Sequence, residues 1–278
     1  MALGPSIGKC MTKNERKEDG ARISTRLPKG WDERFDSPLA RRWNEFVDCP
    51  KRLEKEAPFL LSILPKCGKR VLDAAMGTGC EAVFLAKQDF DVTGNEIDIE
   101  LRSRAIAFAE RERAIISFTD YDWCQLETRF GLGVFDATLI LGNSLCLLQS
   151  EEARVKVAQN LRAICKKGGS VVVDERNFEY ILKERRKILA GQFRFSGRVL
   201  YCGQRIRGRP IVIEEHRVRF VYEDLLNGAI LGYLDMHPFR RNELIQLFRG
   251  AGFTRVDTYS DFEAGYDETA DFFCYVFR

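Results

Sequence analysis

The stretch KRVLDAAMGTGCEAVFLAKQDFDVTGNEID, residues 69–98, decides the architecture. RVLDAAM is a continuous apolar run and reads as a buried strand. The turn Gly77-Thr78-Gly79 follows it, CEAVFLAKQ has helical spacing, and FDVTGNE is a second strand ending on Glu96. The same rhythm extends outward on both sides. RLEKEAPFLLSILPKCGKR predicts a preceding helix that stops at Pro65 and Gly68. Downstream, IELRSRAIAFAERER reads as a helix, AIISFTD and FDATLIL as strands, SEEARVKVAQNLRAICKKGG as an amphipathic helix and SVVVDER as strand five. Strands alternating with helices predict an α/β fold, a doubly wound parallel sheet with helices on both faces.

After Asn177 the rhythm changes. RVLYCGQRI, PIVIEEHRVRFVYED and AILGYLDMHPF read as antiparallel β, before the helix RRNELIQLFRGAG and the closing strands FTRVDTYSD and DFFCYVFR. The expected organisation is an N-terminal tail and lid over residues 1–50 and one catalytic domain over 51–278. Within that domain, residues 180–238 form an antiparallel β insertion after strand five. An insertion there lies over the carboxyl ends of the strands, where open α/β sheets bind ligands. Within the lid, Trp31, Phe35, Trp43 and Phe46 are the aromatic anchors.

Composition narrows the function classes. Apolar residues make up 45% of 278 positions, enough for a full core, and the formal charge of +3 is too mild to announce nucleic acid. Nine scattered cysteines with no C-x-x-C pair predict reduced thiols in a cytoplasmic protein, not a disulfide framework or a zinc site. With His216 and His237 as the two histidines, a histidine-based metal site is not expected. The basic, polar opening lacks the apolar core of a secretory signal, and no run of about 18 apolar residues is present to span a membrane.

The glycine turn admits two nucleotide ligands. Gly77, Gly79 and Ala82 satisfy G-x-G-x-x-A, a dinucleotide fingerprint. Asp73, inside the first strand, argues the other way. A dinucleotide places its anionic pyrophosphate just beyond that strand, and a carboxylate repels it. The same carboxylate suits the cationic amine of S-adenosylmethionine. Glu96 can accept from both ribose hydroxyls, and Asp122 and Trp123 can bind the edge and cover the face of adenine.

With these residues in place, VLDAAMGTG is similar to the opening motif of class I methyltransferases. LILGNSLCLL at 139–148, VVDERNFEYIL at 172–182 and the closing SDF…CYVF resemble the glycine N-methyltransferase family, glycine/sarcosine enzymes included. The resemblance runs from about Ala40 to the C-terminus and implies a seven-stranded Rossmann-like sheet. It further implies that Arg52 holds the cofactor's carboxylate, and that Asp73, Ala75, Gly77, Gly79, Glu96, Asp122, Trp123 and Leu141 complete the cofactor site. Gly142 then lies beside the transferring methyl, Asn143, Ser144 and Tyr201 reach the substrate, and Arg176 clamps its carboxylate. A guanidinium fork matches a carboxylate with two parallel hydrogen bonds. His216 or Tyr233 would relay the amine proton. No metal is implied.

The chain also departs from the family. Phe35 and Phe46 stand where tyrosines are expected, His216 replaces a third, and Leu147 stands in place of a histidine. A pocket with fewer hydroxyls favours a bulkier or already methylated amine over glycine. The expected partner is a small amine acceptor carrying a carboxylate, and a homo-oligomer stays open. Two rivals remain: a methyltransferase for another small molecule, and one for nucleic acid, suggested by the basic stretch 183–210. LGNS after strand four speaks against the latter, since enzymes that grip a base amine place an Asp/Asn-Pro-Pro-aromatic motif there.

Overall fold

A computed structural model describes residues 38–64, 68–192 and 205–278. Trp31, Phe35 and Tyr201 lie outside the described residues. The described chain enters through α1 (Pro38–Arg41), α2 (Trp43–Phe46) and α3 (Cys49–Ile63). The alternating part then runs β1 (Arg70–Asp73), α4 (Cys80–Ala86), β2 (Asp91–Asn95), α5 (Ile99–Glu112) and β3 (Ile116–Thr119). It continues through α6 (Leu126–Phe130), β4 (Phe135–Ile140), α7 (Glu151–Ile164) and β5 (Cys165–Arg176). Two short helices, α8 (Phe178–Lys183) and α9 (Arg185–Lys187), lead to β6 (Ile206–Glu214), β7 (Arg217–Asp224) and β8 (Ile230–Met236). The chain closes with α10 (Arg241–Gly250), β9 (Val256–Ser260), β10 (Glu263–Ala264) and β11 (Phe272–Phe277).

The main sheet has the order β10-β9-β11-β5-β4-β1-β2-β3. β1 to β5 pair in parallel, while β11 runs antiparallel between β5 and β9. Chain order runs away from β1 toward β3 on one side and from β4 toward β5 on the other. The crevice therefore opens between β1 and β4, at the carboxyl ends of the strands. The sheet has eight strands where seven were expected. The extra one is the two-residue β10, created where Asp261 and Phe262 take positive φ and fold FTRVDTYSD back on itself.

Both faces of the sheet are buried. Alternate residues of β1 divide between them, Leu72 toward α7 and α10 and Val71 toward α3 and α4, and Val171 and Val172 of β5 divide the same way. Each such side chain contributes about 1.5–3 kcal/mol by leaving water. Caps set the helix starts at the sheet's upper rim. Asp98 accepts from the Glu100 and Leu101 amides, Ser150 from that of Ala153, and Asn177 from that of Tyr180.

The separate sheet β6-β7-β8 is antiparallel throughout. PIVIEEHRVRFVYED supplies the end of β6 and all of β7, turning at the exposed pair Glu215-His216.

The cysteines depart from expectation. Cys49 and Cys80 are disulfide-bonded, and Cys124 is disulfide-bonded as well. The reduced-thiol reading rested on spacing, and Cys49 and Cys80 are 31 residues apart. The fold brings them together by laying the start of α3 across the start of α4. Cys146, Cys165 and Cys274 are buried and not disulfide-bonded, and Cys146 and Cys274 pack in the core as small apolar side chains. No helix among the described residues is long and apolar enough to cross a membrane.

Candidate active site

A cavity of about 370 Å³ lies over the carboxyl ends of β1, β2 and β4, bounded by residues of α1 and α2 and walled by β7 and β8. The glycine turn forms its floor. Gly77 and Gly79 take φ of +55° and +87°, a region that L side chains rarely enter. A Cβ on Gly77 would meet Trp43 Nε1 at 3.8 Å, which places the α2 indole over the turn. The Gly77 amide donates to Glu96 Oε2 at 3.0 Å and the Asp98 amide to Oε1 at 2.9 Å. Each carboxylate oxygen retains a lone pair for a ligand hydroxyl. Burial is the main cause that pushes the Glu96 pKa up to about 7.

The far side of this end is held by a latch that sequence reading missed. Asn95 Oδ1 accepts from Thr119 Oγ1 and from the Tyr121 amide, both at 2.8 Å, and Nδ2 donates to the Tyr121 carbonyl at 3.0 Å. The latch pins the loop after β3 to the end of β2. Trp123 Nε1 donates to the Ala74 carbonyl at 2.6 Å, and Asp122 Oδ1 accepts from the Cys124 amide at 2.8 Å. The indole plane is thereby fixed against the cavity, as a ring that covers a flat heterocycle requires.

Arg52 stands at the other end, beside the turn after β4. Its Nε contacts Glu56 Oε1 at 2.9 Å and Glu81 Oε1 at 2.5 Å. Asp73 and Asp174 share its field. Glu56, Asp73, Glu81 and Asp174 are each at most 4% exposed, so four buried carboxylates surround one guanidinium. Burial raises the pKa of Glu56, Asp73 and Asp174, and the neighbouring Glu81 charge adds to it in each case. Asp73 Oδ2 has no hydrogen-bond partner. Such a site is completed by a cation and repels an anion. A ligand bearing an ammonium and a sulfonium fits this charge balance; a pyrophosphate does not. Glu56 and Glu81 were missed from sequence, although the i, i+4 spacing of Arg52 and Glu56 marked one pair.

The β4–β5 rim is built by Leu141, Gly142 and Asn143. Gly142 takes φ +75°, and a Cβ there would meet Arg52 Nη1 at 3.2 Å. Asn143 itself adopts φ +60°, a conformation that Asn tolerates better than most residues. Its amide donates to Asp174 Oδ1 at 2.6 Å, its Oδ1 accepts from the Arg176 amide at 2.9 Å, and Nδ2 contacts Met236 Sδ at 3.4 Å. Ser144 Oγ donates to the Leu141 carbonyl at 2.8 Å. Both polar side chains, expected to reach a substrate, are engaged in shaping the rim.

Arg176 ends β5, lines the cavity and is 7% exposed. Its guanidinium carbon lies 5.0 Å from the Phe220 ring centre and 4.9 Å from that of Phe272. Tyr222, two residues beyond Phe220 on the same face of β7, continues the wall; Phe46 meets it edge-on and Trp43 meets Phe46. Tyr222, Leu234 and Met236 line the cavity without having been expected there, whereas Trp43 and Phe46 had been expected as lid anchors. The period-two spacing of Phe220 and Tyr222 was the available signal.

Arg52, Ala75, Gly77, Glu96, Asp122, Trp123, Leu141, Gly142, Asn143, Ser144 and Arg176 thus gather at one crevice, while Asp73, expected with them, is not part of its lining and lies buried behind it in the field of Arg52 and Glu81. Gly79 sits just behind the floor, facing Ala105. His216 and Tyr233 are not brought in. His216 is exposed in the β6–β7 turn, and Tyr233 lies outside the cavity lining, alternating with Leu234, which faces it. Tyr201 lies outside the described residues. Among the described residues no group of three or more His, Cys, Asp or Glu is placed to hold a metal ion.

Comparison with known proteins agrees with this geometry. Residues 71–169 match the model of a methyltransferase domain family. The chain is 32% identical to the glycine/sarcosine N-methyltransferase of Aphanothece halophytica, over 86% of this chain and 87% of that protein. It is 30% identical to the one of Halorhodospira halochloris, over 88% and 89%. Among solved structures, an S-adenosylmethionine-dependent methyltransferase from Clostridium acetobutylicum superposes with a TM-score of 0.65 at 12% identity, covering 86% of this chain and 95% of that one. The CcbJ methyltransferase of Streptomyces caelestis gives 0.64 at 17%, covering 88% and 97%. These two speak for the fold, and the curated relatives for the family. A crevice with a cation-seeking end, reached by the same strand-turn-helix motif, completes the case: the chain is an S-adenosylmethionine-dependent methyltransferase and belongs to the glycine/sarcosine N-methyltransferase family.

Proposed function

We propose that the acceptor is the amine of a small amino acid of the glycine, sarcosine or dimethylglycine type, seated by Arg176. The observation that carries this reading is a guanidinium 7% exposed at the end of the cavity away from Asp73 and Glu96. A guanidinium facing the cavity can offer two parallel N–H groups, and a carboxylate matches that fork. Curated relatives named for glycine and sarcosine support the same class.

When bound, S-adenosylmethionine supplies a methyl group that is already strongly electrophilic, so the protein's task is position and charge. Asp73 receives the donor's ammonium, Arg52 its carboxylate, Glu96 the ribose hydroxyls, and Asp122 with Trp123 the adenine. Arg176 holds the acceptor carboxylate, which places the adjacent amine toward Gly142. Fixing two reactants in line at about 3–3.5 Å removes much of the entropic part of the barrier. Asn143 sets the Arg176 backbone and is a positioning residue. Among the described residues lining the cavity there is no histidine. The positive charge of Arg176 favours the free-base form of the amine.

The basic stretch that suggested nucleic acid is largely paired where described. Arg207 and Arg209 bond Glu223, Arg205 bonds Glu45, Arg185 bonds Glu215 and Lys187 bonds Glu184. Labelled methyl transfer to glycine, sarcosine and dimethylglycine tests the proposal, with methylamine and dimethylamine alongside. Amino acids should be the far better acceptors. Equal use of the amines that lack a carboxylate would sink the reading.

A further inference from the structure

The Cys49–Cys80 bond ties two parts of the donor site together. Cys49 is the first residue of α3, one turn ahead of Arg52. Cys80 opens α4 immediately after Gly77-Thr78-Gly79, beside Glu81, and lines the cavity. The ion pair between Arg52 and Glu81 runs next to the covalent link. The rest of α3 is anchored differently. Phe59, Leu60 and Ile63 are buried in the core with Ala82 and Leu85. The far end of the helix is thus held by packing, and its front end and the segment ahead of it by the sulfur bridge and the ion pair together with Leu39, Phe46 and Val47 in the core and Arg42 bonded to Asp224. Before that front end come Trp43, seated over Gly77, and Phe46, seated on Tyr222.

We infer that the Cys49–Cys80 disulfide is a redox strap that holds the lid closed over the S-adenosylmethionine site, and that its reduction opens the lid and weakens donor binding. The exchange is balanced by a dithiol. One thiolate attacks a bridge sulfur, the second closes a disulfide on the reductant, and Cys49 and Cys80 are left as two thiols with the two protons. Cys80 is 5% exposed while Cys49 is half-buried, so attack begins at the Cys49 side. Once the bridge is cut, the front of α3 pivots on its buried end. Arg52, Val47, Phe46 and Trp43 then spend part of their time away from the cavity. Apparent affinity falls in proportion to the closed fraction.

The test compares protein purified without reductant with the same protein after a dithiol such as dithiothreitol. Peptide mapping after alkylation should find the 49–80 linkage in the first and free thiols in the second. Titration calorimetry with S-adenosylhomocysteine should give a Kd roughly tenfold higher after reduction, corresponding to a closed fraction of about one tenth. Cys49→Ser should bind as weakly as the reduced protein and ignore the reductant, while Cys124→Ser should keep the full response. An unchanged Kd after verified cleavage, even with a lower Tm, would overturn the proposal and leave the bond purely structural. So would a reductant response that persists in Cys49→Ser, or absence of the 49–80 linkage from the unreduced protein.

Discussion

The two ends of the cavity are built in opposite ways. The donor end draws on nearly contiguous chain: β1, the glycine turn and the end of β2 fall within residues 69–98, with Asp122 and Trp123 one strand further on. It is acidic, with four buried carboxylates around Arg52. The acceptor end draws on α2, the end of β5, β7, β8 and the start of β11, and its fixed charge is the Arg176 guanidinium among aromatic rings. On the proposed reading one end suits a cation and the other an anion, a polarity that would orient a positively charged methyl donor toward an anionic acceptor.

Variants that damage one end and spare the other sharpen this contrast. The largest effect belongs to Arg176→Ala. It should lower kcat/KM for amino-acid acceptors by about 3 kcal/mol, roughly 150-fold, because the acceptor carboxylate then lies buried without its cation. S-adenosylhomocysteine affinity should stay within about twofold, since the substitution is at the far end. An equal loss at both ends would break the division. Next comes Glu96→Ala, which removes two backbone acceptor contacts and the proposed ribose contacts together. Calorimetry should show donor-product affinity weaker by about 2 kcal/mol, roughly thirtyfold.

The pH dependence is smaller and has a definite sign. Burial holds the Glu96 pKa at about 7, above its ordinary value, so the group takes up a proton as pH falls through 7. A neutral carboxyl accepts hydroxyl hydrogen bonds less strongly than a carboxylate. Affinity for S-adenosylhomocysteine should therefore weaken by roughly tenfold between pH 8 and pH 6. In Glu96→Gln that slope should flatten, and a slope that survives unchanged would assign it to another group. The smallest effects are expected at positions the fold leaves outside the cavity. His216→Ala and Tyr233→Phe should keep kcat/KM within about twofold, as substitutions away from the chemistry do. A hundredfold loss in either would return a proton relay to the mechanism.

The ease with which each end could be read follows from the same difference. Asp73, Gly77, Gly79 and Glu96 sit at fixed offsets along one strand-turn-helix-strand unit, so local periodicity places them before any folding is known. Even there, Glu56, Glu81 and Asn95 escaped notice, because a buried acid or amide in a helix or strand looks like an exposed one until its surroundings are assembled. At the acceptor end, His216 and Tyr233 were chosen by chemical type. Their side chains turn away because β6 and β7 meet in a tight turn at Glu215-His216 and because β8 alternates, giving Leu234 to the cavity and Tyr233 to the other side. Asn143 was placed correctly in space, yet its side chain braces the Arg176 amide.

By itself, the sequence determined the doubly wound sheet and the position of its crevice. Those depend on interactions within a few tens of residues, where pattern and backbone preference suffice. Only the tertiary structure decided which insertion side chains face the acceptor, that Cys49 meets Cys80, and that four acids converge on Arg52. These are long-range contacts. Their pairing is chosen by how whole elements pack against one another, and no local spacing encodes it.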